Sequence, residues 1–216
     1  MSDTAIRITE IFYSLQGEAR SAGRPTVFVR LTGCPLRCGY CDSEYAFHGG
    51  ERMSVSAILE KIKSYGCNTV CVTGGEPLAQ PGCHDLLKLL ADEGCEVSLE
   101  TSGALDIADV DSRICVVMDL KTPASGELER NLYSNVEKLK PSDQVKFVIC
   151  NREDYEWARF KIDELQLVDR VEDVLLSPSH DQVAPAELAR WILDDRLNVR
   201  FQMQLHKQLW GDKPGV

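Results

Sequence analysis

The segment Cys34-Pro-Leu-Arg-Cys38-Gly-Tyr-Cys41 places three thiols within eight residues, in a stretch loosened by Gly33, Pro35 and Gly39. Thiolates spaced in this way can wrap one metal centre. A structural zinc ion closes its tetrahedron with a fourth cysteine or histidine, and His48 is the only near candidate. Three ligands suit a four-iron cluster that keeps one iron open for an exogenous ligand. A zinc site or a redox-inert set of thiols is the competing reading. Nine cysteines in all is an odd number and no disulfide framework for a reducing compartment. The other six read as buried small hydrophobes, with Cys71 and Cys115 inside strand-like runs and Cys150 at the end of one. Cys67 and Cys71 share a CX3C spacing but lack a third partner.

Polar groups recur just after apolar runs. Thr73-Gly74-Gly75-Glu76-Pro77 follows NTVCV, where two glycines permit close backbone approach and a carboxylate can accept hydrogen bonds from an ammonium. Glu100-Thr101-Ser102-Gly103, Asp119-Leu120-Lys121 and Ser177-Pro178-Ser179-His180 end later runs. Such clusters are what a polar ligand across the mouth of a sheet requires, although Ser and Asp also cap the helix that follows a strand.

These groups need a scaffold that brings strand ends together, and the periodicity supplies one. Period-two or apolar runs at 25–31, 68–73, 96–100, 114–120, 144–149, 174–177 and 199–204 predict strands. Between them lie helical patterns. Ser54 caps a stripe of Val55, Ile58, Leu59 and Ile62; Leu86, Leu87 and Leu90 share a face over 83–93; residues 128–139 have a helical pattern. Tyr155, Ala158, Ile162 and Leu165 fall in register, and a last helix opens at Pro185. No fixed-period repeat or low-complexity tract interrupts the alternation. Right-handed βαβ units follow, in one α/β domain over 1–216. A full eight-fold barrel takes about 250 residues, so the expectation is an open, partial (β/α) barrel of about six parallel strands with its ligand site at the strands' C-terminal ends.

The CX3CX2C spacing, with an aromatic residue before its last cysteine, resembles the radical S-adenosylmethionine (SAM) enzymes, and the GGEP run does so too. The resemblance implies a [4Fe-4S] cluster on Cys34, Cys38 and Cys41. Its open iron is chelated by SAM, and an electron from the cluster cleaves the sulfonium to methionine and a 5′-deoxyadenosyl radical. It further implies SAM contacts at Tyr40, Cys41, Asp42, Gly75, Glu76, Ser102, Asp119, Leu120 and Lys121, completed by Ser177, Pro178, Ser179 and His180.

Within that superfamily, Leu15-Gln16-Gly17-Glu18, the continuation Cys41-Asp42-Ser43 and the ending Gln204-Leu205-His206-Lys207 resemble the 7-carboxy-7-deazaguanine synthases of the queuosine and 7-deazapurine pathway. That likeness touches both ends of the chain and most strand termini. It implies a carbon–nitrogen lyase that turns 6-carboxy-5,6,7,8-tetrahydropterin into 7-carboxy-7-deazaguanine and ammonia by hydrogen abstraction and ring contraction, regenerating SAM. The backbone and amide of Leu15, Gln16 and Gly17 can read the donors and acceptors of a pterin edge. Arg30 matches a carboxylate, with a surface salt bridge as the alternative. Thr73 is implied as a further substrate contact and Ser43 as a Mg²⁺ ligand. The family pattern has threonine at Ser43 and glycine at Ala19, and the tail runs on from Gln208 to Val216. A homodimer and a one-electron reductant such as a flavodoxin are implied as well. A glycyl-radical activating enzyme and a non-catalytic iron–sulfur or zinc scaffold are the alternatives, of which the scaffold leaves GGEP unexplained.

Composition bounds the partners. Of the 216 residues, 34 are acidic and 24 basic, a formal charge of −10, which repels a phosphate backbone and leaves room only for a local basic pocket. No apolar run approaches the roughly 18 residues of a membrane span. The start, Met1-Ser2-Asp3-Thr4-Ala5, lacks a basic and apolar export signal, so a cytoplasmic location is expected.

Overall fold

The computed structural model describes residues 4–211, 213 and 215. Met1, Ser2 and Asp3, and Asp212, Pro214 and Val216 of the tail, lie outside the described residues.

The expected alternation forms one nine-stranded sheet. Its strands in chain order are β1 (Ala5–Leu15), β2 (Pro25–Leu31), β3 (Glu51–Ser54), β4 (Thr69–Gly74), β5 (Glu96–Thr101), β6 (Cys115–Asp119), β7 (Gln144–Ile149), β8 (Asp173–Pro178) and β9 (Arg200–Phe201). The spatial order is β3-β1-β2-β4-β5-β6-β7-β8-β9. From β2 through β4 to β9 every neighbour is parallel, which is the open partial barrel expected. The strand count exceeds the expectation because β1 and β3 add an antiparallel edge. β1 is an 11-residue strand whose first residues alternate between exposed and buried.

Helices α1 (Val55–Lys63), α2 (Gly82–Asp92), α3 (Arg152–Glu164), α4 (Leu167–Arg170), α5 (Pro185–Asp194) and α6 (Leu205–Trp210) cover the outside and the tail. Ser54 Oγ accepts from Ala57 N at 3.2 Å and Asn151 caps α3 by accepting from Asp154 N at 2.9 Å, so two otherwise orphaned helical N–H groups are satisfied. The apolar stripe of α1, with Leu86, Leu87 and Leu90 of α2, packs on Ile6, Val27, Val29, Val70, Val72 and Leu99. A second core joins Tyr155, Ala158 and Ile162 of α3 and Leu188 and Ile192 of α5 to Val145, Phe147, Val174 and Leu176. Each fully buried Leu, Ile or Val there contributes about 1.5–3 kcal/mol.

Two expectations differ from the structure. The helical pattern over 128–139 forms short 3-10 turns, Leu128–Arg130 and Tyr133–Lys138. The cause is Asn135, fully buried, whose amide donates to Gly103 O at 3.1 Å and Leu105 O at 2.7 Å and whose Oδ1 accepts from Ile107 N at 3.3 Å. That side chain ties the segment to a neighbouring loop instead of letting it run as a helix. The last strand, expected over 199–204, spans only Arg200–Phe201 and gives way to α6.

The outer faces of the strands thus carry the core and the inner faces carry something else. Period two puts Arg30, Thr73, Glu100, Asp119 and Lys146 on one face, with Arg30 opposite Thr73 and Asp119 opposite Lys146 in the register. Of the inward apolar residues, Ala19, Val117 and Leu175 form a small separate cluster.

Candidate active site

A cavity of about 730 Å³ opens on this inner face. Its upper wall is the loop after β2. There Cys34, Cys38 and Cys41 line the cavity with Tyr40, Asp42 and Ser43. The loop is stapled from several sides: Gly33 N donates to Ala46 O at 2.7 Å, Gly39 N to Ser125 O at 3.0 Å, and Arg37 Nη1 to Cys34 O at 2.8 Å and Leu36 O at 2.6 Å. Burial raises all three thiol pKa values, so in this form they carry their protons. A bound metal would displace those protons.

Among the described residues no group of three or more His, Cys, Asp or Glu side chains converges tightly enough to hold a single metal ion. The three thiols nevertheless share one wall of one cavity. Three thiols on one wall are the set a four-iron cluster with one open iron would take, whereas a closed zinc tetrahedron would need a fourth ligand. His48 is exposed and off the cavity wall.

The two glycines after β4 are sterically required. A Cβ on Gly74 would stand 2.4 Å from Leu31 O, and one on Gly75 would stand 2.3 Å from Gly33 O and 2.7 Å from Cys34 Cβ. Gly75 N donates to Leu31 O at 3.3 Å and Glu76 N to Gly33 O at 2.8 Å, so the end of β4 is bonded edge-on to the start of the cysteine loop. Glu76 is fully buried and does not line the cavity. Its carboxylate accepts from Thr101 Oγ1 at 2.9 and 3.0 Å, from Ser102 N at 2.7 Å and from Leu78 N at 3.0 Å, as well as from Ser102 Oγ. Glu76 therefore braces the end of β5 and holds Ser102, which lines the cavity.

Of the other residues singled out by sequence, Leu15, Gln16, Gly17, Arg30, Thr73, Gly75, Ser102, Asp119, Lys121, Ser179 and His180 line the cavity. Leu120, Ser177 and Pro178 are buried off its wall. Because β1 runs antiparallel, Leu15 pairs with Pro25 at the start of β2, and the 16–24 loop enters from the opposite end of the barrel as its floor. Ala19 N donates to Gln202 Oε1 at 2.6 Å and Arg20 N to Gln144 Oε1 at 2.8 Å, which pins that floor. Ala19 has a left-handed φ of 61°, the conformation glycine adopts freely.

Charges crowd the interior. Arg30 Nε donates to Glu10 Oε1 at 2.8 Å, and the same oxygen accepts from Tyr45 OH at 2.8 Å. Arg30 is thus an internal ion pair, not a surface one, and Glu10 engages only its Nε. Glu100 accepts from Gln16 Nε2 at 3.3 Å and Thr73 Oγ1 at 3.1 Å. Burial raises the Glu100 pKa, against the opposing charges of Lys146 and Arg30. Asp119 is half-buried, yet Lys121 at 2.7 Å and Lys146 at 3.3 Å outweigh its loss of hydration and hold its carboxyl below the ordinary range. Phe12 and Phe28 stack at 4.9 Å and give the wall a flat apolar panel.

Sequence reasoning assigned no role to Glu10, Tyr45 or Lys146, and named Glu18, Glu100 and Gln204 only within quoted runs, with no individual role. The available signal for Lys146 was a charge inside an otherwise apolar run, VKFVI, whereas Glu100 sits in the alternating EVSLET with no such mark. Glu18 stood in a quoted motif without a partner.

Comparison with known proteins agrees with this geometry. Residues 28–118 match the model of the radical SAM superfamily. A 7-carboxy-7-deazaguanine synthase of Koribacter versatilis is 41% identical, covering 95% of this chain and 97% of its own. One from Chlorobaculum tepidum is 40% identical over 100% of this chain and 99% of its own. The crystal structure of QueE from Escherichia coli superposes with a TM-score of 0.76 at 25% identity, covering 94% of this chain and 95% of that one. SuiB of Streptococcus suis bound to S-adenosylmethionine, at 17% identity and a TM-score of 0.57, shares the fold over 80% of this chain and 45% of its own. These likenesses favour neither the activating-enzyme nor the scaffold alternative. This chain belongs to the 7-carboxy-7-deazaguanine synthase family of radical SAM enzymes.

Proposed function

We propose that the protein converts 6-carboxy-5,6,7,8-tetrahydropterin to 7-carboxy-7-deazaguanine and ammonia, with SAM regenerated in each cycle. The observation that carries this reading is one cavity, sized for two small ligands, that joins the three cluster-type thiols to Arg30, Thr73 and the Gln16 floor. Membership of the radical SAM family implies a [4Fe-4S] cluster and SAM, and Cys34, Cys38 and Cys41 would hold the cluster. When bound, this pair supplies the hydrogen-abstracting radical.

The chain's own residues do the positioning. Ser102, Asp119 and Lys121, with Ser179 and His180, face the SAM side, and Tyr40 and Asp42 flank it from the cysteine loop. On the substrate side, the guanidinium of Arg30 is fixed through Nε by Glu10, which leaves its terminal nitrogens for a carboxylate. Gln16, Leu15 and Gly17 supply the amide and backbone groups that a pterin edge needs. Ser43 Oγ, which donates to Asp42 Oδ1 at 2.9 Å, is the hydroxyl offered to Mg²⁺ at that carboxylate. Burial opposes ionisation of Asp42, but Ser43, Lys146 and Arg30 lower its pKa, so a charged oxygen donor stands beside the hydroxyl. The electron comes from a flavodoxin-type reductant, and the working form is a cytoplasmic homodimer. No helix among the described residues is long and apolar enough to cross a membrane.

The test is anaerobic reconstitution with iron and sulfide, followed by dithionite, SAM, Mg²⁺ and 6-carboxytetrahydropterin, with products followed by mass. Appearance of 7-carboxy-7-deazaguanine without stoichiometric SAM loss supports the reading. Accumulation of 5′-deoxyadenosine alone keeps the radical chemistry and removes the substrate. Sedimentation of the loaded protein at several concentrations checks the dimer.

A further inference from the structure

Lys146 is a lysine in the middle of a buried strand, and its side chain is only 12% exposed. Its Nζ lies 2.6 Å from Glu18 Oε2 and 3.3 Å from Asp119 Oδ1. Each carboxylate is held again by its other oxygen. Asp119 Oδ2 accepts from Lys121 Nζ at 2.7 Å, and Glu18 Oε1 accepts from Gln204 Nε2 at 2.9 Å. Gln204 Nε2 also donates to Asp42 Oδ2 at 3.2 Å, and Asp42 Oδ1 accepts from Ser43. A continuous chain of contacts therefore runs Lys121–Asp119–Lys146–Glu18–Gln204–Asp42–Ser43, from the face offered to SAM, along the floor offered to substrate, and back to the cysteine loop, where Asp42 flanks SAM and Ser43 is offered to the metal. Every member lines the one cavity.

Lys146 is the link in that chain that neutral groups cannot replace. If Lys146 is removed, Asp119 keeps Lys121 on Oδ2 but loses the cation that holds its Oδ1. Glu18 loses its only ion-pair partner among the described residues. Two carboxylates, with Glu100 as a third nearby, then face one another on a half-buried cavity wall, where like charges repel more strongly than in open water. Glu18 must turn away, and the Gln204 bridge to Asp42 goes with it.

We propose that Lys146 is a positioning residue for both ligands: through Asp119 it sets the SAM side and through Glu18 the substrate side, so that one buried ammonium keeps the two in register. The inference rests on the function proposed above for the two faces of the cavity, and it goes beyond it in giving a role to a cavity-wall residue which that reading assigns to neither ligand.

The test uses the cluster-loaded protein and measures Kd for SAM and for 6-carboxytetrahydropterin by equilibrium dialysis, with 5′-deoxyadenosine released per product as a third readout. Lys146→Met is expected to weaken both ligands by about tenfold or more and to raise the deoxyadenosine-to-product ratio. Lys146→Arg restores both affinities to within about threefold, because a cation returns to the same place. Glu18→Gln weakens the pterin alone and leaves SAM unchanged. A merely structural lysine would lower the thermal midpoint without moving that ratio. If Lys146→Met does not fold, the double variant Glu18→Gln, Lys146→Met keeps the cavity's net charge and, having lost the cation on Asp119 Oδ1, is expected to weaken SAM where Glu18→Gln alone does not; equal SAM affinity in those two variants overturns the inference. SAM and pterin affinities within about twofold of wild type in Lys146→Met overturn the inference, as does a loss that arginine fails to rescue. If the wild type binds SAM but no pterin, the substrate reading is what fails, and the SAM affinity of Lys146→Met still decides the role of Lys146.

Discussion

Gly75→Ala isolates the contact between β4 and the cysteine loop. The added Cβ would sit 2.3 Å from Gly33 O, 2.7 Å from Gly33 C and 2.7 Å from Cys34 Cβ. The nearest of these is roughly 1 Å short of ordinary van der Waals contact, and backbone atoms cannot swing aside as the tip of a side chain can. Relief requires the loop to lift off β4, which breaks the Glu76 N to Gly33 O bond at 2.8 Å and the Gly75 N to Leu31 O bond at 3.3 Å. Overpacking costs about 1–3 kcal/mol and the two hydrogen bonds about 1 kcal/mol each, a total of about 3–5 kcal/mol. A domain stable by about 5–15 kcal/mol survives that, folded but with Cys34 displaced. The expected outcome is a native far-ultraviolet dichroism spectrum with iron and sulfide per chain well below wild type after reconstitution. Gly39→Ala is the matched control. Gly39 lies in the same loop, has no positive φ, and its Cβ would meet only Ala124 O at 3.8 Å, so that variant should load iron normally. Wild-type iron content in Gly75→Ala, or an equal loss in Gly39→Ala, refutes the steric argument.

Arg30→Ala should raise the pterin KM about 10- to 100-fold, the loss of one or two charged hydrogen bonds, while the Kd for SAM stays put; steady-state kinetics beside SAM dialysis check this, and an unchanged KM removes Arg30 from the substrate side. Ser43→Ala should flatten the Mg²⁺ dependence of the rate, and an identical metal titration excludes the hydroxyl as ligand. Ala19→Gly should change stability by less than about 1 kcal/mol, because relief of the left-handed φ of 61° offsets one lost buried methyl against Val117 and Leu175 and the greater freedom of unfolded glycine. Urea denaturation measures it, and a loss of several kcal/mol would mean that the methyl is a packing keystone and not a tolerated strain.

What was legible in the sequence follows from how far apart the cooperating residues lie. The three cysteines declare themselves because their ligand geometry is written within one loop. Thr73, Ser102 and Asp119 were legible because they close strands, where a parallel sheet gathers its chemistry. The contacts that complete the site carry no such local mark. Lys146 and Glu18 are 128 residues apart, Gln204 and Glu18 186 apart, and Gln204 and Asp42 162 apart. Only the closing of the sheet, with the β1–β2 loop folded under it, brings them together. The same distinction explains the secondary structure. Helices with a clean apolar stripe and a cap, such as α1, were foreseen, whereas the 128–139 pattern lost to the buried amide of Asn135, a preference visible only once residues 103–107 lie beside it.

Net charge shows the same gap between a global and a local quantity. A chain at −10 should deter anions, yet the cavity wall carries Arg30, Lys121, Lys146, Lys207 and Lys213 against Glu18, Asp42, Glu100 and Asp119. The acidic excess is spent on the outside, and the interior is close to balanced. Balance is also what partial burial favours, since each charge on this half-buried wall loses hydration that an opposite charge can replace. Pairing keeps both ionised: the opposing carboxylates raise the Lys146 pKa, and the two lysines lower that of Asp119, each overcoming desolvation. A site built from mutually compensated ions offers fixed donors and acceptors to a zwitterionic sulfonium amino acid on one side and a pterin carboxylate on the other, with little net field to favour one over the other. Selection between the ligands must then come from position, which is why the residues that set position, Glu10 for Arg30, Glu76 for Ser102 and Lys146 for Glu18 and Asp119, matter as much as those offered to the ligands.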